Sequence, residues 1–217
     1  MWVIPSLTPE FIERMEEVLD LYAKPYDSQE PVVCFDEKSK ELRKDAKPVI
    51  RGAITKRDYE YVRNGTANVF MTVEPKRGHR TTKATKRRTK KDFAREIRRV
   101  SKLPRYVKAK RIHIVLDNLN THFEKSLIET FGNREAARLM RRIRFHHTPK
   151  HASWLNMAEI ELSILEKQCL KQRIPDRSVL RAHLKAWQRR RNGQKMQINW
   201  KFTKQDARIK FKYGRQN

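Results

Sequence analysis

Two aspartates stand where apolar runs of the sequence stop. Asp36 follows the run 32–35, and Asp117 follows the largely apolar run 112–116. Each run is typical of a short buried strand, which the pattern predicts to end at its aspartate. Sites in open α/β sheets gather at the carboxyl ends of strands, and two carboxylates that meet there are costly unless a cation neutralises them. Because oxygen ligands select Mg²⁺ or Mn²⁺ rather than zinc, the sequence predicts such a metal site at Asp36 and Asp117.

One carboxylate from a helix would complete this ligand set, and the helix predicted at 153–170 offers two. Glu159 and Glu161 lie on opposite flanks of its apolar stripe at about 100° per residue, so the helical spacing does not choose between them. Glu159 also has a purely structural interpretation, because Asn156-x-x-Glu159 has the spacing of a capping box. The residues by themselves therefore leave the third ligand open.

Three polar residues beside the carboxylates are candidates for orienting the metal ligands, since such ligands need hydrogen-bond partners. These candidates are Asn118, His122 and Asn156. Each also has a simpler interpretation. Asn118 suits a turn after a strand, Asn156 suits a helix cap, and His122 lies at the start of a helix predicted from the capping-box pattern Thr121-x-x-Glu124.

The predicted elements alternate in a way that indicates an α/β layer fold. Thr8 and Pro9 predict the start of a first helix. A strand, a hairpin, a helix, a strand, a helix, a strand and two helices follow. This order predicts a mixed sheet, an antiparallel hairpin plus parallel strands, with helices on both faces. We expect an N-terminal helix and linker over 1–30, the main domain over 31–192 and a basic tail over 193–217.

A hairpin and a basic run occupy the middle of the chain. Asn64-Gly65 is a strong turn signal and predicts the hairpin turn inside the segment 58–78. Residues 76–91 have no core face, so we expect a basic, mobile loop that contacts a nucleic-acid backbone; a merely solvated loop is the alternative. The candidate contacts are Lys76, Arg77, Arg80, Lys83, Lys86, Arg87, Arg88, Lys90 and Lys91.

The charge balance of the whole chain points to an anionic partner. Its 217 residues include 51 Lys and Arg against 25 Asp and Glu, a formal net charge of +26. Nucleic acid is the leading candidate, because a phosphate backbone rewards each neutralising cation by counterion release. No apolar run approaches the roughly 20 residues that span a bilayer. With two cysteines in no metal spacing and no signal-peptide pattern, we expect a cytoplasmic, nucleoid-associated protein without a membrane partner.

Five ordered segments resemble the catalytic region of bacterial insertion-sequence transposases of the IS six-thirty type, in the mariner superfamily of DDE transposases. The segments are VVCFDEKS, DYEYVRNGTANVF, IVLDNLNTH, HHTPKHASWLNMAEIELSIL and INWKFTKQDARIK. The resemblance runs from about residue 2 to the end. It implies an RNase H-like fold for 31–192 and a catalytic triad of Asp36, Asp117 and Glu159, so it selects Glu159 by analogy.

The resemblance also implies the chemistry. The triad would hold two Mg²⁺ (or Mn²⁺) ions and hydrolyse the ends of the element, and the freed 3′-hydroxyl would attack target DNA at a TA step. The partners would then be double-stranded DNA, both element ends and target, and a second copy of the chain in a homodimeric complex.

The sequence departs from the family pattern at two places. Met157 and Ala158 stand where the family more often has Gln and an apolar residue, but the glutamate is kept and we expect no loss of chemistry. Family members usually carry helix-turn-helix units before the catalytic region, so we expect a fragment, a degenerate copy or one part of a split frame. The alternative function is a truncated, catalytically silent DNA-binding remnant or regulator of a full-length transposase. The aligned carboxylates argue against a third interpretation, an RNA-binding basic protein.

Overall fold

The computed structural model describes residues 7–50 and 58–214. Its five strands are β1 (Val32–Asp45), β2 (Tyr61–Glu74), β3 (His79–Thr85), β4 (Ile112–Leu116) and β5 (Ile143–His147). They form a sheet in the order β3-β2-β1-β4-β5. The strands β1, β2 and β3 pair antiparallel, whereas β4 pairs parallel with both β1 and β5. The predicted mixed sheet is therefore confirmed.

The described residues also form six α-helices, which cover both faces of the sheet. They are α1 (Pro9–Ala23), α2 (Lys90–Ser101), α3 (Glu124–Met140), α4 (Met157–Leu165), α5 (Arg177–Gly193) and α6 (Lys204–Phe211). Thr8 caps α1 as its sequence predicts, since the Thr8 side chain accepts a hydrogen bond of 3.2 Å from the Phe11 amide. None of the helices in the described ranges is long and apolar enough to cross a membrane.

Alternation along β1 divides the core into two layers. Val33 and Phe35 pack in the layer that α2 and α3 cover. Cys34 packs in the opposite layer with α1 and the start of α4. Because successive strand residues point to opposite faces, Asp36 faces the α4 side and Glu37 faces the α2 side.

The strand β1 does not end at Asp36, and that prediction is wrong. It continues to Asp45 and pairs with β2 from Cys34 onward, although the polar residues 40–57, with Pro48 and Gly52, predict a long connection. The parallel pairing with β4 stops earlier, at Cys34 opposite Val115. The apolar run contains the residues that pair with β4, and the polar half pairs with β2 alone. Residues 51–57 of the expected connection lie outside the described residues.

The hairpin turn is also misplaced in the prediction. Asn64-Gly65 lies inside β2, where the register against β1 shifts and Gly65 adopts φ +78°. This arrangement is a β-bulge, which uses the same left-handed glycine as a tight turn. The turn between β2 and β3 is the 3₁₀ segment Pro75–Arg77 followed by Gly78. A Cβ on Gly78 would lie 2.4 Å from the Lys195 backbone, so this turn needs glycine.

The basic run 76–91 is not a mobile loop, contrary to the prediction. It contains β3, and the Arg80 side chain is completely buried. Two side chains of α5 bond the free edge of β3. The Gln188 Oε1 accepts from the Thr82 amide at 2.7 Å, and Asn192 bonds both backbone groups of Arg80 at 2.8–2.9 Å. The helix thus covers the edge that another strand would otherwise pair with.

The chain ends are part of the main fold where the structure describes them. The helix α6 lies within the predicted basic tail 193–217 and packs on α1. Arg208 bonds Glu16 of α1 at 2.9 Å, and Lys204 bonds Asp20 at 2.5 Å. Aromatic rings of the segment before α6 join the core layer of α1. The tail prediction missed this helix because the segment is basic and short of apolar residues.

Candidate metal centre

Asp36 and Asp117 meet at the point where β1 and β4 stop pairing. The last paired residues are Cys34 and Val115, so the same parallel register, continued by two positions, places Asp36 beside Asp117. Asp117 follows directly after the end of β4 at Leu116. The two aspartates are close enough for the Asp117 charge to act on Asp36. The sequence-based expectation that the two carboxylates lie together agrees with this geometry.

Asp36 is held in surroundings that oppose its charge. Burial, together with the charges of the neighbouring carboxylates Asp117, Glu37 and Glu159, raises the pKa of Asp36 to about 7. A hydrogen bond of 2.7 Å from the Glu37 amide works in the other direction. In the described part of the chain, no cationic side chain pairs with Asp36.

The structure separates the two glutamates that the helical spacing left open. Glu161 is completely buried and forms ion pairs with Arg80 at 2.9 Å and Arg191 at 3.0 Å. Both ion pairs occupy the Glu161 carboxylate, which is therefore not free to bind a metal ion. Glu159 is half-buried, its carboxylate makes no hydrogen bond or ion pair with the residues described, and its charge acts on Asp36. The geometry favours Glu159 as the third carboxylate.

Asn156 joins the start of α4 to the strand that carries Asp36. Its Nδ2 donates a 2.8 Å hydrogen bond to the Phe35 carbonyl, and its Oδ1 accepts from the Ala158 amide at 3.1 Å. The Asn156 amide itself bonds Ser153, so the reciprocal bond of a capping box is not made by Glu159. Asn156 is therefore both a helix cap and a link that sets α4 beside Asp36.

His122 is completely buried between two carboxylates. Its Nδ1 lies 2.6 Å from Asp117 Oδ1, and its Nε2 lies 2.9 Å from Glu37 Oε2. Burial would lower the pKa of His122, but the hydrogen bonds to Asp117 and Glu37 outweigh it and raise this pKa to about 9. Burial by itself would raise the pKa of Asp117. The hydrogen bond from His122 outweighs burial, and the pKa of Asp117 is lowered.

Glu37 is a residue of this network that sequence reasoning missed. The available signal was its position directly after Asp36, which places it on the other face of β1. The expected cap of α3 also proved wrong. The helix begins at Glu124 with Phe123 as a cap that makes no side-chain bond, so His122 lies before the helix and turns inward.

Asn118 is tied to two other elements. The Arg14 Nη1 of α1 donates to Asn118 Oδ1 at 2.7 Å, and the Asn118 amide group donates to the Thr148 carbonyl after β5. Asn118 thus fixes the segment that carries Asp117 without contacting the carboxylates themselves.

The predicted DNA-contact residues do not share one surface. Arg80 is excluded because it is buried on Glu161. Lys76 and Arg77 lie in the turn at the far end of β2, near the start of β1. The residues on the other side of β3 are nearer the carboxylates, since Arg88 lies 3.7 Å from Glu37. Lys83 and Lys90 form ion pairs with Glu96 and Glu129, whereas three residues are exposed with no ion pair to the described chain: Lys86, Arg87 and Lys91.

The donor set fits a hard divalent cation. Within residues 7–50 and 58–214, no three acidic, histidine or cysteine side chains are already arranged around a single point as metal ligands. The charges of Asp117, Glu37 and Glu159 nevertheless act on Asp36, and its ionised form is disfavoured while no cation pairs with it. Oxygen donors of this kind suit Mg²⁺ or Mn²⁺.

A family model matches the part of the sequence that carries this candidate site. The model of the DDE superfamily endonuclease family matches residues 31–181, which include Asp36, Asp117 and Glu159. The chain belongs to this family, and the membership of the DDE superfamily that the motifs predict is confirmed.

The fold is similar to that of Mos1 structures, which confirms the predicted RNase H-like class. A crystal structure of the Mos1 mariner paired end complex with Mn is 15% identical, with a TM-score of 0.56, and the match covers 90% of this chain and 61% of that chain. A Mos1 strand transfer complex matches at 14% identity and a TM-score of 0.54, covering 86% and 56%. The chain spans about three fifths of the length of the Mos1 chains. No curated protein matches it by sequence.

Proposed function

We propose that this chain is the catalytic region of a DNA transposase, which cuts the ends of its element and joins them to target DNA. The observation that carries the proposal is the crowding of Asp117 and Glu159 around Asp36, a buried carboxylate with a raised pKa and no cationic partner among the described residues. A structural carboxylate would be neutralised by a cationic side chain, as Glu161 is.

The residues that would hold a divalent ion are Asp36, Asp117 and Glu159. When bound, two such ions activate a water molecule and stabilise the leaving oxygen of a phosphodiester. The chain itself supplies the carboxylates, places them on β1, directly after β4 and on α4, and orients Asp117 through His122. Asn156 contributes by holding α4 against β1.

The partners follow from the same proposal. Double-stranded DNA, as element end and as target, is the substrate, with Lys86, Arg87 and Lys91 as exposed backbone contacts. The similar Mos1 structures are of a paired end complex and a strand transfer complex. By analogy we propose a homodimer, a TA target and action at the DNA of the cytoplasm or nucleoid.

The test is nicking of a supercoiled plasmid by the purified chain with Mg²⁺, Mn²⁺ or chelator. We expect nicking with either metal and none with chelator. Asp36→Asn, Asp117→Asn and Glu159→Gln each remove a proposed ligand and should reduce nicking to background while retention on DNA persists. Glu13→Gln, on the exposed face of α1, is the matched control and should nick like the wild type. Wild-type nicking by Glu159→Gln would exclude Glu159.

A silent DNA-binding remnant is the second candidate. The observation that favours it is the net charge of +26. This charge attracts DNA whether or not the carboxylates bind a metal ion and support catalysis. A wild-type chain that binds DNA but neither nicks it nor binds Mn²⁺ would establish this candidate over the transposase.

A further inference from the structure

We propose that Glu37 and His122 form a positioning pair that fixes the direction of the Asp117 carboxylate beside Asp36. The proposal rests on the proposed function, in which Asp117 is a ligand of the divalent ion. Neither residue of the pair has to touch DNA or the ion. Both act through Asp117, and they are therefore positioning residues and not catalytic ones.

Asp117 needs such support because it lies outside the regular elements. β4 ends at Leu116, and α3 does not begin until Glu124. Two hydrogen bonds reach the Asp117 carboxylate, from His122 at 2.6 Å and from the Leu119 amide at 3.1 Å. Both converge on Oδ1, so Oδ2 has no hydrogen bond from the residues described. The pair thus anchors one oxygen and presents the other.

The His122 ring is itself held on every side. Phe35 contacts it edge-on at 5.5 Å between ring centroids, and Phe93 lies at 4.8 Å. The backbone carbonyl of His122 accepts a 2.8 Å hydrogen bond from His147 Nε2. With one ring nitrogen bonded to Asp117 and the other to Glu37, the imidazole has no second orientation that keeps both bonds.

Glu37 connects this support to the strand that carries the other aspartate. Asp36 and Glu37 are consecutive on β1 and point to opposite faces. Asp36 contributes its carboxylate to the site, and Glu37 holds His122, which holds Asp117. The position of Asp117 relative to Asp36 is therefore set from β1, through the contacts of Glu37 with His122 and of His122 with Asp117. Glu37 also lies 3.7 Å from Arg88, a longer contact with an exposed partner.

The test measures Mn²⁺ binding to the full chain by the loss of the free-ion electron paramagnetic resonance signal, below the unfolding temperature of each variant. We expect Glu37→Ala and His122→Phe to weaken Mn²⁺ binding about tenfold or more, as loss of the partners of metal ligands does. Glu37→Gln keeps an oxygen opposite the His122 Nε2 and should retain most of the wild-type affinity for Mn²⁺. A role in folding alone would lower thermal stability and leave the affinity unchanged.

His146→Gln is the matched control. His146 is also buried and also bonds a carboxylate, Glu17, at 2.8 Å, but it contacts none of the proposed ligands. This substitution should leave Mn²⁺ binding at the wild-type value even where it lowers the melting temperature.

A second measurement keeps the proposal separate from the proposed function. In metal-free protein with ¹⁵N-labelled histidine, both His122 ring N–H groups should be protected from exchange with water. Glu37→Ala should abolish the protection at Nε2, and Glu37→Gln should retain it. Unchanged Mn²⁺ binding in Glu37→Ala and His122→Phe would overturn the proposal. If the wild type binds no Mn²⁺, the proposed metal-dependent function is refuted. In that case, unchanged protection of the His122 Nε2–H group in Glu37→Ala would overturn the proposed pair of Glu37 and His122.

Discussion

At the scale of single residues, Asp36 combines a structural cost with its proposed role. Burial and three neighbouring carboxylates raise its pKa to about 7 from an ordinary value of 3.8. The ionised form is thus less favourable in the folded state than in the unfolded chain, and the folded protein is weakened above pH 7. A bound divalent cation would remove this penalty. The free energy released in this way would add to the affinity of the site for the cation.

Replacing Asp36 should therefore stabilise the metal-free protein. A raised folded-state pKa contributes stability below pH 3.8 that is lost as pH rises through about 7. At pH 8 the penalty is at most about 4 kcal/mol, and 1 kcal/mol moves the melting temperature of a chain this size by about 2–4 °C. We expect Asp36→Asn to melt several degrees above the wild type at pH 8 in chelator, with a smaller difference at pH 5.

Asp117→Asn is the control for this measurement, with the opposite sign. The pKa of Asp117 is lowered in the fold, mainly by His122 against the effect of burial, so its charge stabilises the protein above pH 3.8. Its loss should lower the melting temperature at pH 8. Equal melting temperatures for Asp36→Asn and wild type across this pH range would contradict the raised pKa.

At the scale of elements, α4 carries two acidic residues with opposite functions. Glu161 anchors the helix to β3 and α5 through Arg80 and Arg191, all in the interior. Glu159, two positions earlier, lies on the other flank and is left to act on Asp36. The anchor fixes the rotation of α4 about its axis, and that rotation keeps Glu159 at the site.

This difference predicts unequal effects on stability. Glu161→Ala leaves two buried arginines without a counter-charge and should lower the free energy of unfolding by about 3–5 kcal/mol. Glu159→Ala removes no hydrogen bond or ion pair within the described residues and should change it by less than about 0.5 kcal/mol. Urea unfolding of both variants in chelator measures the contrast. Similar values for the two would show that the ion network does not anchor α4.

At the scale of the whole molecule, positive charge is divided between surfaces and the interior. Arg80 and Arg191 serve the core, and Lys204 and Arg208 hold α6 to α1. The net charge of +26 therefore overstates the cations that are available to DNA. The side of β3 nearer the carboxylates, with Lys86, Arg87 and Lys91, is the part of the predicted run best placed to contact a substrate.

The salt dependence of DNA binding tests this division. Replacing Lys86, Arg87 and Lys91 with Gln should reduce the slope of log affinity against log salt by about 2–3, since each phosphate contact contributes about 0.9. Replacing Lys76 and Arg77, at the opposite end of β3, should leave the slope unchanged. A slope that falls equally in both variants would mean that DNA binds the basic run without preference.

Much of the fold was accessible from sequence because its signals are local. The alternation of elements predicted the mixed sheet, and Thr8 and Pro9 predicted the start of α1. Errors came where a local signal had two structural outcomes. Asn64-Gly65 supplies the left-handed backbone of a turn or of a bulge. The apolar run before Asp36 marks the part of β1 that pairs with β4 and not the end of the strand.

The sequence by itself determined that two aspartates follow apolar runs and that the chain carries a net charge of +26, because residue order and composition carry those facts. Only the tertiary structure showed that Glu161 is buried between Arg80 and Arg191, that Arg80 is not on the exposed surface, and that Glu37 contacts His122. Each of these depends on contacts between distant positions: Arg80 and Glu161 are 81 residues apart, and Glu37 and His122 are 85 apart. Periodicity within one element carries no information about the partner that a side chain meets when the elements pack.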